Sequence, residues 1–300
     1  MADLPCITAT DTAQAMLDHG LICPICQAAL QIAPKVWQCT AGHCFDVARE
    51  GYVNLLPVQH KKSRSPGDTA EAVAARRAFL AAGHYQPLRD VVVAQLAQLS
   101  AQRVLDLGCG EGYYSSAMQR VSPWLMGLDI AKPAIQTAAK RYKSIHWVVG
   151  SGVLLPLASA SIDVVTSLFS PLPVAEMQRV LKADGHVIVA TPAPDHLWSI
   201  REALFDEVRA HEPDKFLTHL APSFALIEQI EMRVPLQLAQ ADLGHLVAMT
   251  PYAWKAKADK RAALESNRSF TTEAVFRVLV LQKTAKIDIP PASVSDTRTD

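Results

Sequence analysis

The sequence predicts an α/β protein with a parallel sheet covered by helices on both faces, preceded by a small metal-binding module. From residue 104 onward, strand-like and helix-like segments alternate, and this order is typical of a parallel sheet. Four of the six cysteines fall between residues 23 and 44, in a segment too short to build much apolar core. Half of the 300 residues are apolar, which is enough for one large domain beside a small one.

Composition excludes some classes of protein. No run approaches the roughly 18 apolar residues of a membrane span, and the N-terminus lacks the charged and apolar regions of a secretory signal. We therefore expect a cytoplasmic protein without a membrane partner. The formal net charge is zero and the pI is about 7.1, so nucleic-acid binding would depend on local clusters of positive charge.

The chain divides at a polar segment, His60–Asp68, that contains a proline and a glycine. We predict an N-terminal extension at 1–21, a zinc-binding module at 22–60 and the main domain at 61–283, of which 61–100 is a helical lead-in. The tail, 284–300, is rich in proline, serine and threonine, and we expect it to be disordered.

The predicted elements follow from periodicity and from start and stop signals. Asp68 and Glu71 form a capping-box pattern that predicts a helix to Ala81, and a second helix is predicted over 88–99. Further strands are predicted at 104–107, 125–129, 145–149, 162–169, 186–190, 225–235 and 274–281. The intervening helices are predicted at 114–121, 132–142, 175–181, 197–211 and 241–249.

The cysteine cluster has the spacing of a zinc site. Cys23 and Cys26 form a Cys-x2-Cys pair, and Cys39 and His43 follow as Cys-x3-His. Four such ligands close the tetrahedral coordination of zinc, so the predicted site is structural and has no open position for chemistry. The spacing also allows Cys44 in place of His43, and four buried thiols without metal are the alternative.

A glycine-rich turn is the strongest functional signal. An apolar strand ending at Leu107 runs into Gly108, Gly110 and Gly112, and a helical pattern follows. The spacing departs from the Gly-x-Gly-x-x-Gly of dinucleotide sites and resembles motif I of the class I methyltransferases, whose loop receives S-adenosylmethionine. Asp129 ends the next strand, about 20 residues on, where such folds hold ribose hydroxyls.

A wider set of motifs resembles the RlmA family, bacterial methyltransferases that modify N1 of a guanine in a hairpin of 23S ribosomal RNA. The resemblance covers roughly residues 22–282. Beyond the cysteine cluster and the glycine loop, it rests on the stretches 45–46, 50–61, 66–68, 76–80, 83–88, 191–192 and 249–254. It implies a Rossmann-like class I methyltransferase fold with a mostly parallel, seven-stranded sheet, and a homodimer.

The resemblance also implies roles for individual residues. The zinc ligands fall on Cys23, Cys26, Cys39 and His43, and the S-adenosylmethionine contacts fall on Tyr85, Gly110, Glu111 and His196. Beside these, we expect Gly108, Gly112 and Asp129 to contact the cofactor, and Ser151 to meet its adenine edge, although a plain turn is the alternative for Ser151. The segment Leu168–Leu172 departs from the Tyr-Ala-Pro-like stretch of the family, which affects fine target choice.

The sequence does not identify a catalytic base. Guanine N1 carries a proton at neutral pH, and a group must remove it; Ser170, Asp195 and backbone carbonyls near Pro171 are candidates. RNA contacts are predicted at Lys35 and Trp37, at Lys61, Lys62 and Arg64, at Arg76 and Arg77, and at Lys255, Lys257, Lys260 and Arg261 beside Tyr252 and Trp254. Methylation of a small molecule or of a neighbouring rRNA guanine, and RNA binding without activity, are the alternative functions.

Overall fold

The computed structural model describes residues 20–58 and 66–284. The first range holds four short strands: β1 (Leu30–Ile32), β2 (Val36–Cys39), β3 (Cys44–Asp46) and β4 (Tyr52–Asn54). The second range begins with α1 (Ala70–Ala81), α2 (Gln86–Gln98), β5 (Arg103–Leu107), α3 (Tyr113–Met118), β6 (Trp124–Asp129), α4 (Lys132–Arg141), β7 (His146–Val149), β8 (Ile162–Leu168), α5 (Val174–Val180) and β9 (Leu181–Pro192). It continues with α6 (Trp198–Leu204), α7 (Asp214–Leu220), β10 (Phe224–Ala239), α8 (Gln240–Ala248), α9 (Tyr252–Lys255), α10 (Ala258–Glu265) and β11 (Ser269–Lys283).

The main sheet has the order β10-β11-β9-β8-β5-β6-β7-β4. The six strands from β9 to β4 run parallel, and β10 and β11 are antiparallel to their neighbours. This arrangement confirms the predicted mostly parallel α/β fold. The described strands number eight and not the predicted seven, because β4 pairs with β7, Val53 opposite Val148. Tyr52 and Val53 are both buried there, which accounts for the addition of so short a strand.

The central strands bury side chains on both faces of the sheet. Along β5, Val104 faces the apolar layer that includes α1 and α2, whereas Leu105 faces a second layer on the opposite side. The same alternation occurs in β8 at Val164 and Val165. A strand covered on both faces reads as a continuous apolar run, and this is why the sequence predicts these strands well.

Strands β1, β2 and β3 form a separate antiparallel sheet, and residues 20–47, which contain it, are here called the ribbon. The ribbon is docked on the main domain by backbone hydrogen bonds. Ile22 N–H donates to the Pro156 carbonyl at 3.0 Å, and Ala158 N–H donates to the Gly20 carbonyl at 2.7 Å. Its buried residue Trp37 belongs to the same apolar layer as Leu105, so the ribbon and one face of the main sheet share a core.

Two local predictions need correction. Helix α1 is capped by Thr69, whose Oγ1 accepts the Ala72 N–H at 3.3 Å, while Asp68 forms an ion pair with Arg76 at 2.5 Å. The helix predicted over 197–211 ends at Leu204, because the charged segment that follows offers no apolar periodicity, and α7 begins after Pro213.

Strand β10 is longer than predicted and contains Pro235. An edge strand tolerates proline because one side of it has no ladder partner. The predictions for the N-terminal extension up to residue 19, for the cluster Lys61, Lys62 and Arg64, and for the tail from residue 285 lie outside the described residues. No helix within the described ranges is long and apolar enough to cross a membrane.

Candidate cofactor and metal sites

The glycine loop lies at the carboxyl end of β5. Gly108, Gly110 and Gly112 have φ values of +73°, +56° and +85°, a region that only glycine adopts without strain. A Cβ on Gly108 would lie 2.4 Å from Cβ of Ser170. A Cβ on Gly110 would meet no atom closer than 3.9 Å, so this glycine has open space beside it. The turn predicted from the spacing is therefore present, and each glycine is required by its φ.

Hydrogen bonds hold the loop in place from two sides. Gly108 N–H donates to the Leu128 carbonyl at 2.8 Å. The Ser170 hydroxyl donates to the Leu107 carbonyl at 2.7 Å and contacts the Ser167 hydroxyl at 2.7 Å. Because its proton is engaged by Leu107, Ser170 fixes the loop and is not poised as a base.

Asp129 bridges the loop and the start of α4. Its Oδ2 accepts the Gly110 N–H at 2.9 Å and its Oδ1 accepts the Ala131 N–H at 2.7 Å. Burial raises the pKa of Asp129, and the two N–H donors oppose that rise. Each carboxylate oxygen keeps a lone pair for a further donor. Ser151 lies nearby, since Gly150 N–H donates to the Asp129 carbonyl at 3.0 Å.

Two more carboxyl groups are buried at this end of the sheet. Burial raises the pKa of Asp106 to about 6, although the Ser115 and Thr166 hydroxyls both donate to its carboxylate. Asp106 was not predicted as a site residue. The sequence feature that could have identified it is the presence of an acidic residue inside an otherwise apolar strand. Glu111 is only 4% exposed, and burial raises its pKa. Within the described ranges no lysine or arginine forms an ion pair with Glu111.

An aromatic cluster joins the two remaining predicted cofactor contacts. The Phe276 ring lies 4.8 Å from the Tyr85 ring and 5.0 Å from the His196 ring, between centroids. Phe276 and its neighbour Phe169, at 5.7 Å, were not predicted as site residues, because only the pairing of β11 with β9 brings Phe276 there. Phe169 has a φ of +59°, a strained conformation that is common at functional sites.

His196 is held as a neutral imidazole. Its Nδ1–H donates to the Val275 carbonyl at 2.8 Å, which leaves Nε2 as the acceptor nitrogen. Burial lowers the pKa of His196 to about 3. Asp195, the neighbouring base candidate, forms an ion pair with Arg233 at 2.7 Å, so it too has a partner.

A cavity of about 460 Å³ opens beside the carboxyl ends of β6 and β7. Ile130 and Val149, which follow or end these strands, line it on the sheet side, and residues 66–71 line the other side. Open α/β sheets bind ligands at the carboxyl ends of their strands. The glycine loop, Asp129, Ser151 and this cavity thus lie together at the expected edge.

The ribbon brings four predicted metal ligands together. The Sγ or Nδ1 atoms of Cys23, Cys26, Cys39 and His43 all lie within 4.8 Å of one another. His43 Nδ1 is 3.3 Å from Cys39 Sγ and 3.6 Å from Cys23 Sγ. Tetrahedral zinc with Zn–S of about 2.3 Å requires ligand separations of about 3.5–3.8 Å. Three of the donor pairs lie 3.3–3.6 Å apart, so the donor set fits the ion once the wider pairs move together slightly. Cys44 is exposed, and its Sγ contacts the Gly42 carbonyl instead.

The predicted RNA contacts divide by exposure. Trp37 is 5% exposed and packs in the core, so the prediction that it offers a stacking surface is wrong. Arg76 is engaged by Asp68 and by the Met249 carbonyl. Arg77 lines a cavity of about 250 Å³ with Arg89 and Arg141, among other residues. Trp254 is 69% exposed.

Comparisons with known proteins match both parts of the chain. The family model described as RlmA, N-terminal matches residues 21–64, and the model described as Methyltransferase domain matches residues 105–189. A 23S rRNA (guanine(748)-N(1))-methyltransferase of Streptomyces fradiae is 34% identical over 250 residues, which are 81% of this chain and 88% of the relative. YxjB of Bacillus subtilis (strain 168), provisionally named as a 23S rRNA (guanine-N(1)-)-methyltransferase, is 31% identical over 87% of this chain and 96% of its own.

A malonyl-[acyl-carrier protein] O-methyltransferase of Serratia marcescens is 30% identical but covers only 46% of this chain and 60% of its own. Similarity that covers more than four fifths of this chain is thus found with the guanine-N1 enzymes. The RlmA N-terminal model covers the ribbon, and the zinc-ligand cluster and the glycine loop agree with both findings. The protein is an S-adenosylmethionine-dependent methyltransferase with a structural zinc ribbon, and it belongs to the RlmA family of 23S rRNA (guanine-N1)-methyltransferases.

Proposed function

We propose that this protein transfers a methyl group from S-adenosylmethionine to N1 of a guanine in a hairpin of 23S ribosomal RNA. The observation that carries the proposal is the 34% identity to the Streptomyces fradiae enzyme over 81% of this chain, beside the match of residues 21–64 to the RlmA N-terminal model. An enzyme for a small molecule would have no evident use for the ribbon. An RNA-binding protein without activity would have no need of three glycines with positive φ at the end of β5.

The cofactor supplies the methyl group, and the carboxyl end of the sheet supplies its site. We assign the loop of Gly108, Gly110 and Gly112 to the methionine part, since the backbone at Gly110 has open space where a side chain would lie. Asp129, fixed by two N–H donors, would accept the ribose hydroxyls. The cavity beside Ile130 would take the adenine, and Ser151 follows β7 at the same edge of the sheet. Tyr85, Glu111 and His196 complete the proposed contacts.

The protein contributes positioning more than acid–base chemistry. Methyl transfer requires the donor and the acceptor in line at close range, with water excluded. Of the predicted acceptors for the N1 proton, Ser170 is bonded to Leu107 and Asp195 is paired with Arg233. We therefore favour the backbone carbonyls beside Pro171 as polarising contacts. They would accept a hydrogen bond from guanine N1–H, and the proton would pass to water as the methyl group is transferred. His196 is neutral at physiological pH because its pKa is about 3, and its Nε2 can only accept a hydrogen bond.

We assign the structural zinc to Cys23, Cys26, Cys39 and His43, on the fit of their four donor atoms. The proposal also includes a homodimer, which sedimentation equilibrium of the purified protein tests directly. A mass of twice 32.6 kDa supports it, and a monomer at all micromolar concentrations contradicts it. An enzyme of ribosomal RNA acts where ribosomes are assembled, so we propose that the protein works in the cytoplasm.

The test of the reaction uses ribosomal RNA from a strain that lacks this gene. Nucleosides are analysed before and after incubation with purified protein and S-adenosylmethionine. We expect 1-methylguanosine to appear with wild type, and to be absent with Asp129→Ala, because the ribose loses its anchor. Bound cofactor without methylated RNA would overturn the acceptor assignment in favour of a small molecule. A protein that does not bind S-adenosylmethionine would contradict the proposed methyl transfer altogether.

A further inference from the structure

Trp254 is 69% exposed, and among the large apolar side chains of residues 66–284 only Val153 is more exposed. It lies on α9, a single turn of four residues between α8 and α10. A tryptophan that is exposed to water forgoes the transfer free energy of a large apolar side chain, which a partner covering it would recover. The ring offers a flat π face of the kind on which unpaired nucleobases stack.

The turn that carries Trp254 is held firmly from beneath. Arg261 Nη1–H donates to the Ala253 carbonyl at 3.2 Å, directly before Trp254. The Tyr252 ring packs against the Phe205 ring with 5.8 Å between centroids. The tryptophan is therefore presented on a fixed backbone, which lowers the ordering cost of binding.

The same turn is connected to the cofactor site on two sides. Arg76 Nη2–H donates to the Met249 carbonyl at 3.4 Å, and Arg76 Nη1 is the atom nearest to the open side of Gly110. On the other side, Arg201 donates to the His196 carbonyl at 3.3 Å, and its helix α6 ends next to Phe205. Burial and the nearby Tyr252 raise the pKa of Tyr85, consistent with this proximity.

Three lysines follow the exposed ring within six residues of sequence. Lys255 follows Trp254 directly, and Lys257 and Lys260 both reach Asp206, which neutralises part of their charge. Within the described ranges Lys255 forms no ion pair with an acidic side chain. An exposed aromatic ring beside a free cation is the arrangement that binds single-stranded nucleic acid through stacking and phosphate contact.

We propose that Trp254 stacks on an unpaired base of the RNA beside the target guanine, and that Lys255 contacts an adjacent phosphate. This inference rests on the proposed function and names the RNA-contacting surface of its site. N1 lies on the pairing edge of guanine, so the substrate must present unpaired bases near the reaction centre. A rigid stacking surface at the rim of the site holds the strand in that open form.

The test measures steady-state methylation of a 23S rRNA hairpin by wild type, Trp254→Ala and Trp254→Phe. We expect Trp254→Ala to raise KM for RNA about five- to a hundredfold, the range for loss of one base stack. Trp254→Phe keeps a ring and is expected to recover most of the affinity. The Kd for S-adenosylmethionine is expected to change less than twofold, since in the described ranges no hydrogen bond or aromatic pair joins Trp254 to a proposed cofactor residue.

Phe216→Ala is the matched control, because Phe216 is a 39% exposed aromatic residue on α7, whose Leu217 packs on the opposite face of the sheet. An unchanged KM for Trp254→Ala, or an equal rise for Phe216→Ala, overturns the stacking proposal while wild-type methylation stands. Failure of wild type to methylate any RNA overturns the proposed function instead. Titration of RNA into wild type, with quenching of tryptophan fluorescence that Trp254→Phe lacks, tests the stack even if Trp254→Ala folds poorly.

Discussion

The ribbon and the main sheet reach order by different means. The strands of the ribbon are three or four residues long, and its four potential ligands converge where a larger domain would place apolar side chains. The main sheet has central strands buried on both faces. The ribbon is docked on this sheet through Leu21 and Trp37, so its few apolar residues complete a core that belongs to the larger domain. A small module can thus be specified by metal ligands, while the sheet is specified by its apolar pattern.

Of the substitutions that follow, removal of one zinc ligand should have the largest effect, because it should unfold the ribbon and leave the main sheet folded. Cys39→Ser should abolish zinc binding, because it removes one of the four ligands. The ribbon should then unfold, because zinc binding to such sites contributes on the order of 10 kcal/mol to folding. We expect hydrogen exchange of the ribbon amides to become fast, while residues 103–107 and 162–168 of the sheet stay protected. Methylation of RNA should fall at least tenfold.

Cys44→Ser is the control for this experiment, since Cys44 is exposed and its Sγ contacts only the Gly42 carbonyl. It should keep one zinc per chain, measured by atomic emission. Loss of zinc in Cys44→Ser would place Cys44 in the ligand set in place of His43. Loss of protection throughout the sheet in Cys39→Ser would show that the two regions fold as one unit.

A change in the glycine loop should disturb the sheet edge and leave the ribbon intact. Gly108→Ala puts a Cβ 2.4 Å from that of Ser170 at a φ of +73°, a conformation that costs roughly 1–2 kcal/mol for any other residue. We expect the Kd for S-adenosylmethionine, measured by calorimetry, to rise more than tenfold with zinc content unchanged. Gly244→Ala, in α8 with no atom within 4 Å of the new Cβ, should bind cofactor normally. Normal binding by Gly108→Ala would contradict the assigned role of the loop.

The smallest expected effect concerns the pH dependence of the main domain. The folded pKa of His196 is about 3, against about 6.5 in the unfolded chain, so below pH 6.5 the unfolded state binds the extra proton. The contribution of His196 to the free energy of unfolding should therefore decrease by about 2 kcal/mol between pH 7.5 and 5.0. The raised pKa of Asp106, about 6, acts in the opposite direction in part of this window.

Comparison with His196→Asn separates His196 from Asp106 and from His211, whose pKa burial lowers to about 4, because both of these groups titrate in both proteins. Urea unfolding at pH 7.5 and 5.0 should show the acid-induced loss of stability reduced by about 2 kcal/mol in the variant. The zinc ligands lie in the ribbon and also bind protons at acid pH. Unfolding should therefore be followed by fluorescence of Trp147, which is buried in the main sheet. Identical pH dependence in the two proteins would mean that His196 is not buried as a neutral group.

Sequence reasoning succeeded where the signal is local. The φ values of the three glycines, the acid at the end of β6 and the alternation of strands and helices all follow from short patterns. It failed where a residue acquires its neighbours from elsewhere. The capping-box pattern selected Asp68, but Asp68 is drawn into an ion pair with Arg76 and Thr69 caps the helix. Trp37 reads as a surface aromatic residue and is buried, because the ribbon docks on the sheet.

The sequence by itself determined the α/β class, the glycine turn with its positive φ angles and a set of zinc ligands with one ambiguity, since these depend on backbone conformation and spacing along a single segment. Only the tertiary structure decided that β4 extends the sheet beside β7, that Cys44 turns away from the metal cluster, and that Phe276 joins Tyr85 to His196. The first and the third depend on contacts between segments far apart in the chain, which are selected by the packing of the whole core rather than by any local pattern. The second depends on the fold of the ribbon, which brings His43 to Cys23 and leaves the neighbouring Cys44 exposed.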